Sequence, residues 1–294
     1  MSEKVNILIL NWRCPFLVKQ CIERIVTSQD ENYRVIIINN FSTLSDYNDI
    51  FNLYEYFKIS IEIYFVSNES NLGYAGGNNA GFSYLEQNNL EGNVMILNPD
   101  VEISINTIGE MMNSLTSNVG IVSPRTLSSN GEVLYDAIKL RGFRQSHIIT
   151  SKHIVSTDFS QGSCMLIDRE VLRSIGLFDE RFFLYWEEVD LSLRVKDFGK
   201  DLIAITTTSV VRKNNTTDNN VTAFYYWVRN ASLLRTKHKR RFSFFSYFLF
   251  VFLVFTIIFK KSKNVDIFRK LMRNYFLALR DTVFKSYYSK RTRG

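Results

Sequence analysis

Residues 93–100 read Asn-Val-Met-Ile-Leu-Asn-Pro-Asp, a short apolar run that stops on two oxygen-bearing side chains, Asn98 and Asp100, one residue apart. A run that is apolar throughout, without alternation, has the pattern of a strand buried on both faces, as parallel strands between two helix layers are. Three earlier segments repeat it. Val5–Leu10 (VNILIL) ends at Asn11, Arg34–Ile38 (RVIII) at the turn Asn39-Asn40-Phe41-Ser42, and Ile61–Val66 (IEIYFV) just ahead of the polar stretch Asn68–Asn79. Between them Leu17–Ser28 and Leu44–Phe57 carry helical spacing, and the glycine-rich Gly73–Gly81 leads into another helix. The alternation predicts an α/β fold, a mostly parallel central sheet with helices on both faces. Ligands of such sheets sit at the carboxyl ends of the strands, and every polar cluster named here follows a strand.

The second half is more mixed. Gly162–Ile167 reads as a strand, Arg169–Ser174 as a short helix, Glu187–Phe198 as a helix ended by Gly199, and Leu202–Thr206 as a strand. No motif marks Tyr135–Thr157.

A chain of 294 residues with 46% hydrophobic and 22% charged residues is globular in composition, which excludes a disordered or low-complexity protein. Three cysteines without paired spacing exclude a disulfide scaffold, and three distant histidines give no zinc module. Val5–Leu10 is too short an apolar run for a signal peptide. The net charge of +7 is unevenly spread: residues 1–236 carry 21 Lys/Arg against 27 Asp/Glu, and residues 237–294 carry 15 against 2. We therefore divide the chain into a catalytic-type body, 1–236, and a basic, apolar tail, 237–294. In the tail Lys237–Arg241 precedes Phe242–Phe259, 18 residues without a charge. As a helix this run is about 27 Å long, just short of a ~30 Å hydrocarbon core. Residues Ile267–Arg280 add a basic amphipathic segment suited to an anionic membrane surface. The expectation is peripheral, monotopic or re-entrant attachment to the cytoplasmic face of the inner (plasma) membrane, with a true span or a buried soluble helix as the alternatives. Nucleic-acid binding is not expected, because the basic residues flank an apolar run and do not line a solvated groove.

Three segments carry chemistry. Asn98 and Asp100 offer hard oxygen ligands to a divalent cation, although Asp100 or Ser104 is equally suited to cap a following helix. Asn71-Leu-Gly-Tyr-Ala-Gly-Gly-Asn-Asn-Ala-Gly81 brings four glycines to a helix start, where backbone N–H groups favour phosphate and where tight helix packing is the alternative use. Trp186-Glu187-Glu188-Val189-Asp190 places three carboxylates in five residues. Glu187 and Asp190 share a helix face, and Asp190 has Arg194 at i+4. Glu188 points elsewhere, toward the apolar run Phe182–Trp186, where burial would raise its pKa and suit it to general-base work.

Taken in order, the strand ending at Asn11, Asn39-Asn40-Phe-Ser42, NLGYAGGNNAG, LNPD and GSCMLIDREVLRSIGLFDERFFLYWEEVDLSLR resemble the inverting family 2 glycosyltransferases of GT-A fold, especially bacterial rhamnosyltransferase-like members of polysaccharide assembly. The resemblance covers roughly residues 4–236. It implies that Asn39, where the family usually has Asp, contacts the nucleotide base, with Asn11, Asn40 and Ser42 completing that turn. It implies that Asn71, Gly73 and Asn78 line a nucleotide-sugar pocket, and that Asp100 with Asn98 holds Mg²⁺ or Mn²⁺ on the donor diphosphate. Glu188, where Asp is commoner, would be the general base, with Asp190 as the other acid of that motif. Arg212 stands where the family often has histidine, and it would pair with phosphate oxygens instead. The implied partners are a nucleoside-diphosphate sugar (dTDP-rhamnose or UDP-hexose), a polyprenyl-diphosphate-linked acceptor glycan of O-antigen or capsule type, and a membrane surface. A catalytically degenerate scaffold that binds nucleotide sugar is the alternative.

Overall fold

The computed structural model describes residues 4–28, 32–212, 221–261 and 265–284; Lys213 and the last ten residues of the basic tail lie outside them. The first half alternates β1 (Val5–Asn11), α1 (Pro15–Val26), β2 (Tyr33–Asn40), α2 (Leu44–Phe57), β3 (Ile63–Asn68), α3 (Gly73–Gln87) and β4 (Asn93–Leu97). There follow β5 (Val101–Ile103), α4 (Thr107–Ser114), β6 (Val119–Ser128), β7 (Val133–Tyr135), β8 (Ala137–Arg141), β9 (Arg144–Ile148), β10 (Ile154–Ser156), β11 (Cys164–Ile167) and α5 (Arg169–Ile175). The chain continues through α6 (Glu187–Asp197), β12 (Asp201–Arg212), α7 (Val221–Lys237), α8 (Phe244–Lys261) and α9 (Val265–Val283).

The strands explain themselves by period. In β1, Ile7 and Ile9 face the layer of α1, α2 and α4, while Leu8 between them faces the layer of α3, α5 and α6. Ile36 and Ile38 of β2 lie on the second side and Val35 and Ile37 on the first, so both faces are covered and no polar alternation is possible.

The expected mostly parallel sheet is a mixed one. Its order is β10-β12-β6-β11-β4-β1-β2-β3. Strands β3, β2, β1 and β4 are parallel, but β11 enters between β4 and β6 antiparallel to both. Parallel pairing resumes between β6 and β12, which then carries β10 and β5 antiparallel. The parallel half follows from strand–helix alternation, whereas β11 is reached through a long excursion that reverses the chain. That excursion, residues 129–160, contains the separate hairpin β8–β9.

The glycines of α3 serve packing. A Cβ on Gly77 would lie 2.5 Å from Leu10 Cδ1, and one on Gly81 would lie 2.5 Å from Ile38 Cδ1 and 3.2 Å from Leu8 Cδ2. The helix therefore lies closer to the sheet than any side chain would allow.

The C-terminal helices form a second apolar body. Helix α7 buries Tyr225, Tyr226 and Val228 with Val251, Val254 and Ile258 of α8 and Leu271, Tyr275 and Ala278 of α9. The apolar stripe of α9 is thus covered by the chain itself, with Tyr225 donating to Asp281 at 2.7 Å. Helix α8 keeps an uncovered side on which Phe245, Phe248, Leu249, Phe252 and Leu253 are each more than half exposed. No helix among the described residues is long and apolar enough to cross a membrane.

Gly81→Val should lower stability by about 1–3 kcal/mol through overpacking against Ile38 and Leu8, read as a lower urea midpoint with an unchanged slope.

Candidate active site

The carboxyl ends of β1, β2 and β4 bring the polar clusters together. Asn11 and Asn39, paired in register, are both buried. The Asn11 amide donates to Asn39 Oδ1 at 3.2 Å, Ser42 Oγ donates to the same oxygen at 2.7 Å, and Asn39 Nδ2 donates to Ser67 at 3.3 Å. The amide oxygen of Asn39 is therefore already engaged within the chain. Asn40 is a second node: it donates to Asn71 Oδ1 at 3.2 Å and to the Gly73 carbonyl at 2.9 Å, and accepts from Asn68 and the Leu72 amide. It pins the glycine-rich loop to the end of β2.

That loop does not offer its first amides to a ligand. The N–H groups of Tyr74 and Ala75 both donate to the Phe183 carbonyl, at 2.7 and 3.2 Å. Gly73, at φ +72°, lies directly against Phe183, so a Cβ there would strike that residue's carbonyl and ring. Asn78 donates to the Tyr74 carbonyl at 2.9 Å and leaves its buried Oδ1 without a partner. The start of α3 is thus joined to the loop that precedes the acidic helix, across more than 100 residues of chain.

Asp100 is not a helix cap, because strand β5 follows it, and its carboxylate makes no hydrogen bond or ion pair with the described residues. Asn98 is held through its backbone, its N–H donating to the Ser163 carbonyl at 2.8 Å. Pairing of β5 with β12 sets Arg212 opposite Val101, one residue from Asp100, and Arg212 is exposed. Among the described residues no group of three or more His, Cys, Asp or Glu is placed to hold a metal ion alone. Asp100 and Asn98 fit a cation whose remaining ligands come from a phosphate-bearing substrate.

The acids of α6 have opposite environments. Asp190 is fully buried, with Arg194 at 2.9 Å, Lys237 at 2.8 Å and His238 Nε2 at 2.9 Å. Burial opposes its ionisation, but the His238 hydrogen bond and the charges of Arg194 and Lys237 prevail and hold its carboxyl below the usual range. Asp190, expected beside Glu188 as the other acid of the motif, anchors the end of α7 to α6, and a carboxylate so engaged is a poor proton acceptor. Glu188 has no such partners. Burial pushes its carboxyl up to about 7, offset in part by the backbone N–H groups of Glu188 and Trp186. Its Oε2 is buried without a hydrogen bond. Glu187 is raised further, by burial first and then by the neighbouring Glu188.

Glu188 opens on a cavity of about 530 Å³ between the β8–β9 hairpin, Tyr185, Trp186, Trp227 and α8. On the other side Glu187, Glu188 and Asp100 all act on the buried Tyr74 hydroxyl, which donates to the Gly162 carbonyl; burial first, then these acids, raise its pKa well above the usual value. Tyr74 thus marks the meeting point of two acidic motifs some 88 residues apart.

The approach to Glu188 is strained. Phe183, Tyr185 and Trp186 have φ of +63°, +68° and +73°. Two α7 side chains hold them so: Asn230 Nδ2 lies 2.7–2.9 Å from the carbonyls of Phe182, Leu184 and Tyr185, and Arg229 donates to those of Arg181 and Phe182 at 2.6 and 2.9 Å. Nothing in the sequence marks Arg229, Asn230 or Tyr74 for these roles. Their one shared signal is polarity within otherwise apolar helix faces.

The structure thus combines a mixed α/β sheet with asparagines at its strand ends, an unpaired acid after β4 and a glutamate of raised pKa at the start of α6. The glycosyl transferase family 2 model matches residues 7–176, more than half of the chain, and the protein belongs to that family. It is similar to the low-salt glycan biosynthesis hexosyltransferase Agl10 of Haloferax volcanii, 33% identical over 144 residues, 46% of this chain and 47% of that one. It is also similar to the N-acetylglucosaminyl-diphospho-decaprenol L-rhamnosyltransferase of Mycobacterium tuberculosis, 27% identical over 36% of this chain and 42% of that one. The chain spans less than half the length of these curated relatives. In fold it matches the mannosyltransferase PcManGT of Pyrobaculum calidifontis, solved with GDP-Man and Mn²⁺, at a TM-score of 0.60 and 12% identity over 97% of this chain and 74% of that one. GalNAc-T7, solved with UDP, GalNAc and Mn²⁺, matches at 0.60 and 13% over 84% and 56%.

Asn230→Ala should free the loop and misplace Glu188, lowering kcat by up to about 10²-fold while the donor KM changes little. A KM that rises in step with the fall in kcat would place the effect in donor binding.

Proposed function

We propose that this protein transfers a hexosyl unit from a nucleoside-diphosphate sugar to a lipid-linked acceptor in the synthesis of a cell-surface polysaccharide, with inversion at the anomeric carbon. The observation that carries the reading is that Tyr74 ties the two acidic segments together: its N–H donates to Phe183 in the loop before Glu188, and its hydroxyl donates to Gly162, next to the Ser163 that holds Asn98, with Asp100 unpaired on one side and the Glu188 Oε2 unpartnered on the other. One relative is a hexosyltransferase and the other a rhamnosyltransferase named for a diphospho-decaprenol-linked sugar, which supports a hexosyl donor and a diphospho-polyprenol acceptor; we take dTDP-rhamnose as the first candidate donor and UDP-hexose as the next.

In this reading the donor diphosphate lies by Asp100, Asn98 and Arg212. A divalent cation, Mg²⁺ or Mn²⁺, bound there would supply charge for the departing diphosphate. Arg212 adds a fixed positive charge from β12. Glu188 takes the proton of the acceptor hydroxyl as that oxygen bonds to the anomeric carbon and the carbon–phosphate-oxygen bond breaks. The product is a glycoside of inverted configuration plus the nucleoside diphosphate. The apolar wall around Glu188 keeps it basic by excluding water. Attachment at the cytoplasmic membrane face, through the exposed phenylalanines of α8, brings the site to an acceptor anchored in lipid.

Four measurements test this. Glu188 works only when ionised, so kcat/KM should rise as the pH passes through about 7 and level off above it. Glu188→Gln should keep donor affinity, lose turnover at least ~10²-fold and abolish that rise; near-normal turnover would overturn the assignment. Asp100→Ala should weaken donor binding in the presence of Mn²⁺ and remove its sensitivity to chelator, read by titration calorimetry. Replacing Phe245, Phe248 and Phe252 together by serine should weaken sedimentation with lipid vesicles at least ~10²-fold, with the thermal unfolding midpoint unchanged because all three side chains face outward.

A further inference from the structure

We infer that the cavity beside Glu188 is built to seat an amphiphile with a diphosphate head: Arg141 and Arg144 take the diphosphate, and Leu249, Leu253 and Ile257 of α8 take the first carbons of its lipid. The inference deepens the lipid-linked-acceptor reading and rests on it for the sugar, but not for the head group.

The first observation is charge. Among the described residues Glu188 is the only acid in the lining, and Arg141 and Arg144 are its two cations. Both arginines are exposed, and neither meets a carboxylate among the described residues. They are directly paired across the β8–β9 ladder, on either side of the two-residue turn Gly142-Phe143. Like charges at opposed positions on a hairpin repel one another, so the arrangement disfavours the hairpin in isolation. A dianion between two guanidinium groups reverses the sign of that term and accepts charge-assisted hydrogen bonds from both.

The second observation is rigidity. Gly142, at φ +58°, makes the turn, and a Cβ on it would approach Ser246 Cβ to 3.1 Å. Phe143 inserts between Trp186, Phe242 and Phe250, with ring centroids 5.5, 4.7 and 5.2 Å away. The arginine pair is thereby fixed to the residue that opens the Glu188 helix and to α8, and its position relative to the base is set by packing.

The third observation is the wall. Leu249 and Leu253 are 56% and 55% exposed and line the cavity beside Val254 and Ile257. A soluble sugar phosphate would leave that wall wet, whereas a lipid-borne one covers it. Because Glu188 repels the diphosphate, the ligand has one orientation: anionic head at the hairpin, chain along α8, hydroxyl-bearing end at Glu188. A volume of about 530 Å³ is that of a single small-ligand site, so what it seats is the diphosphate, the sugar joined to it and the first carbons of the lipid of a sugar-diphospholipid acceptor. A reaction that installs the first sugar phosphate on the lipid must supply it.

The test uses the full chain in detergent with farnesyl diphosphate as an inert probe, and Arg141→Ser/Arg144→Ser as the variant. Both arginines are exposed, so folding should be retained, and unchanged binding of a nucleoside diphosphate checks this. Wild type should bind farnesyl diphosphate at least ten-fold more tightly than farnesol, and the double variant should lose that preference. Leu249→Gln/Leu253→Gln should weaken both ligands together. Equal affinity for the two ligands in wild type, or a preference that survives in the double variant, overturns the inference. A double variant that loses binding to anionic phospholipid vesicles while keeping the farnesyl diphosphate preference assigns the arginines to bulk membrane and also overturns it. If the probe binds as expected but no nucleotide sugar is turned over with any diphosphate-linked acceptor, the subsite stands and the transferase reading falls.

Discussion

Asn230 and Arg229 hold a backbone that would not hold itself. Three of the four residues from Phe183 to Trp186 sit at positive φ without being glycine, each at a cost of order 1–3 kcal/mol. The compensation is concentrated in one place, since two α7 side chains accept no solvent and reach four successive or nearby carbonyls of the loop. Phe183 adds its ring, stacked 5.0 Å from Tyr226, and its carbonyl, which receives the first amides of α3. The loop is therefore clamped from both sides. Glu188 is aimed by the same clamp, because Trp186 is its last residue before α6. The C-terminal helices are thus part of the site, and α8 furnishes one wall of the cavity that Glu188 faces.

Glu188 and Asp190 show how environment divides identical chemistry. They are two residues apart on one helix, and burial disfavours charge on both. Asp190 faces two cations and a histidine hydrogen bond and stays ionised, tying α6 to α7. Glu188 faces aromatic side chains and an open cavity, and its proton is held near neutrality. Divergence of this kind between neighbouring acids separates a base from an anchor. Sequence spacing identified the Asp190–Arg194 pair, which the structure contains at 2.9 Å, but Lys237 ends another helix, His238 follows it, and no periodicity announces them.

Much of the first half was legible because its signals are local. The bounds of α2 and β4 match the apolar and helical runs that mark them, and β1 to β3 differ from their expected limits by a residue or two. The second half was less so. Its sheet contribution is antiparallel where β11 enters, a matter of how the chain returns and not of any residue in CMLI. No motif marks the hairpin β8–β9, whose second strand RQSHI is polar and shows no alternation, and its two arginines acquire meaning only opposite α8. The glycines of α3 were visible as a motif, yet their use is close packing on Leu10 and Ile38, with the helix amides satisfied by Phe183.

The amino-acid sequence by itself determined the α/β layering, the polar strand ends, the acid after β4 and the acidic helix, because burial period and chemistry-bearing residues are written within a few positions of each other. The tertiary structure alone decided which acid is free to act, what caps α3, and which wall faces the base. Each of those depends on groups brought together across tens to hundreds of residues, where desolvation and opposing charge, and not local propensity, set the outcome.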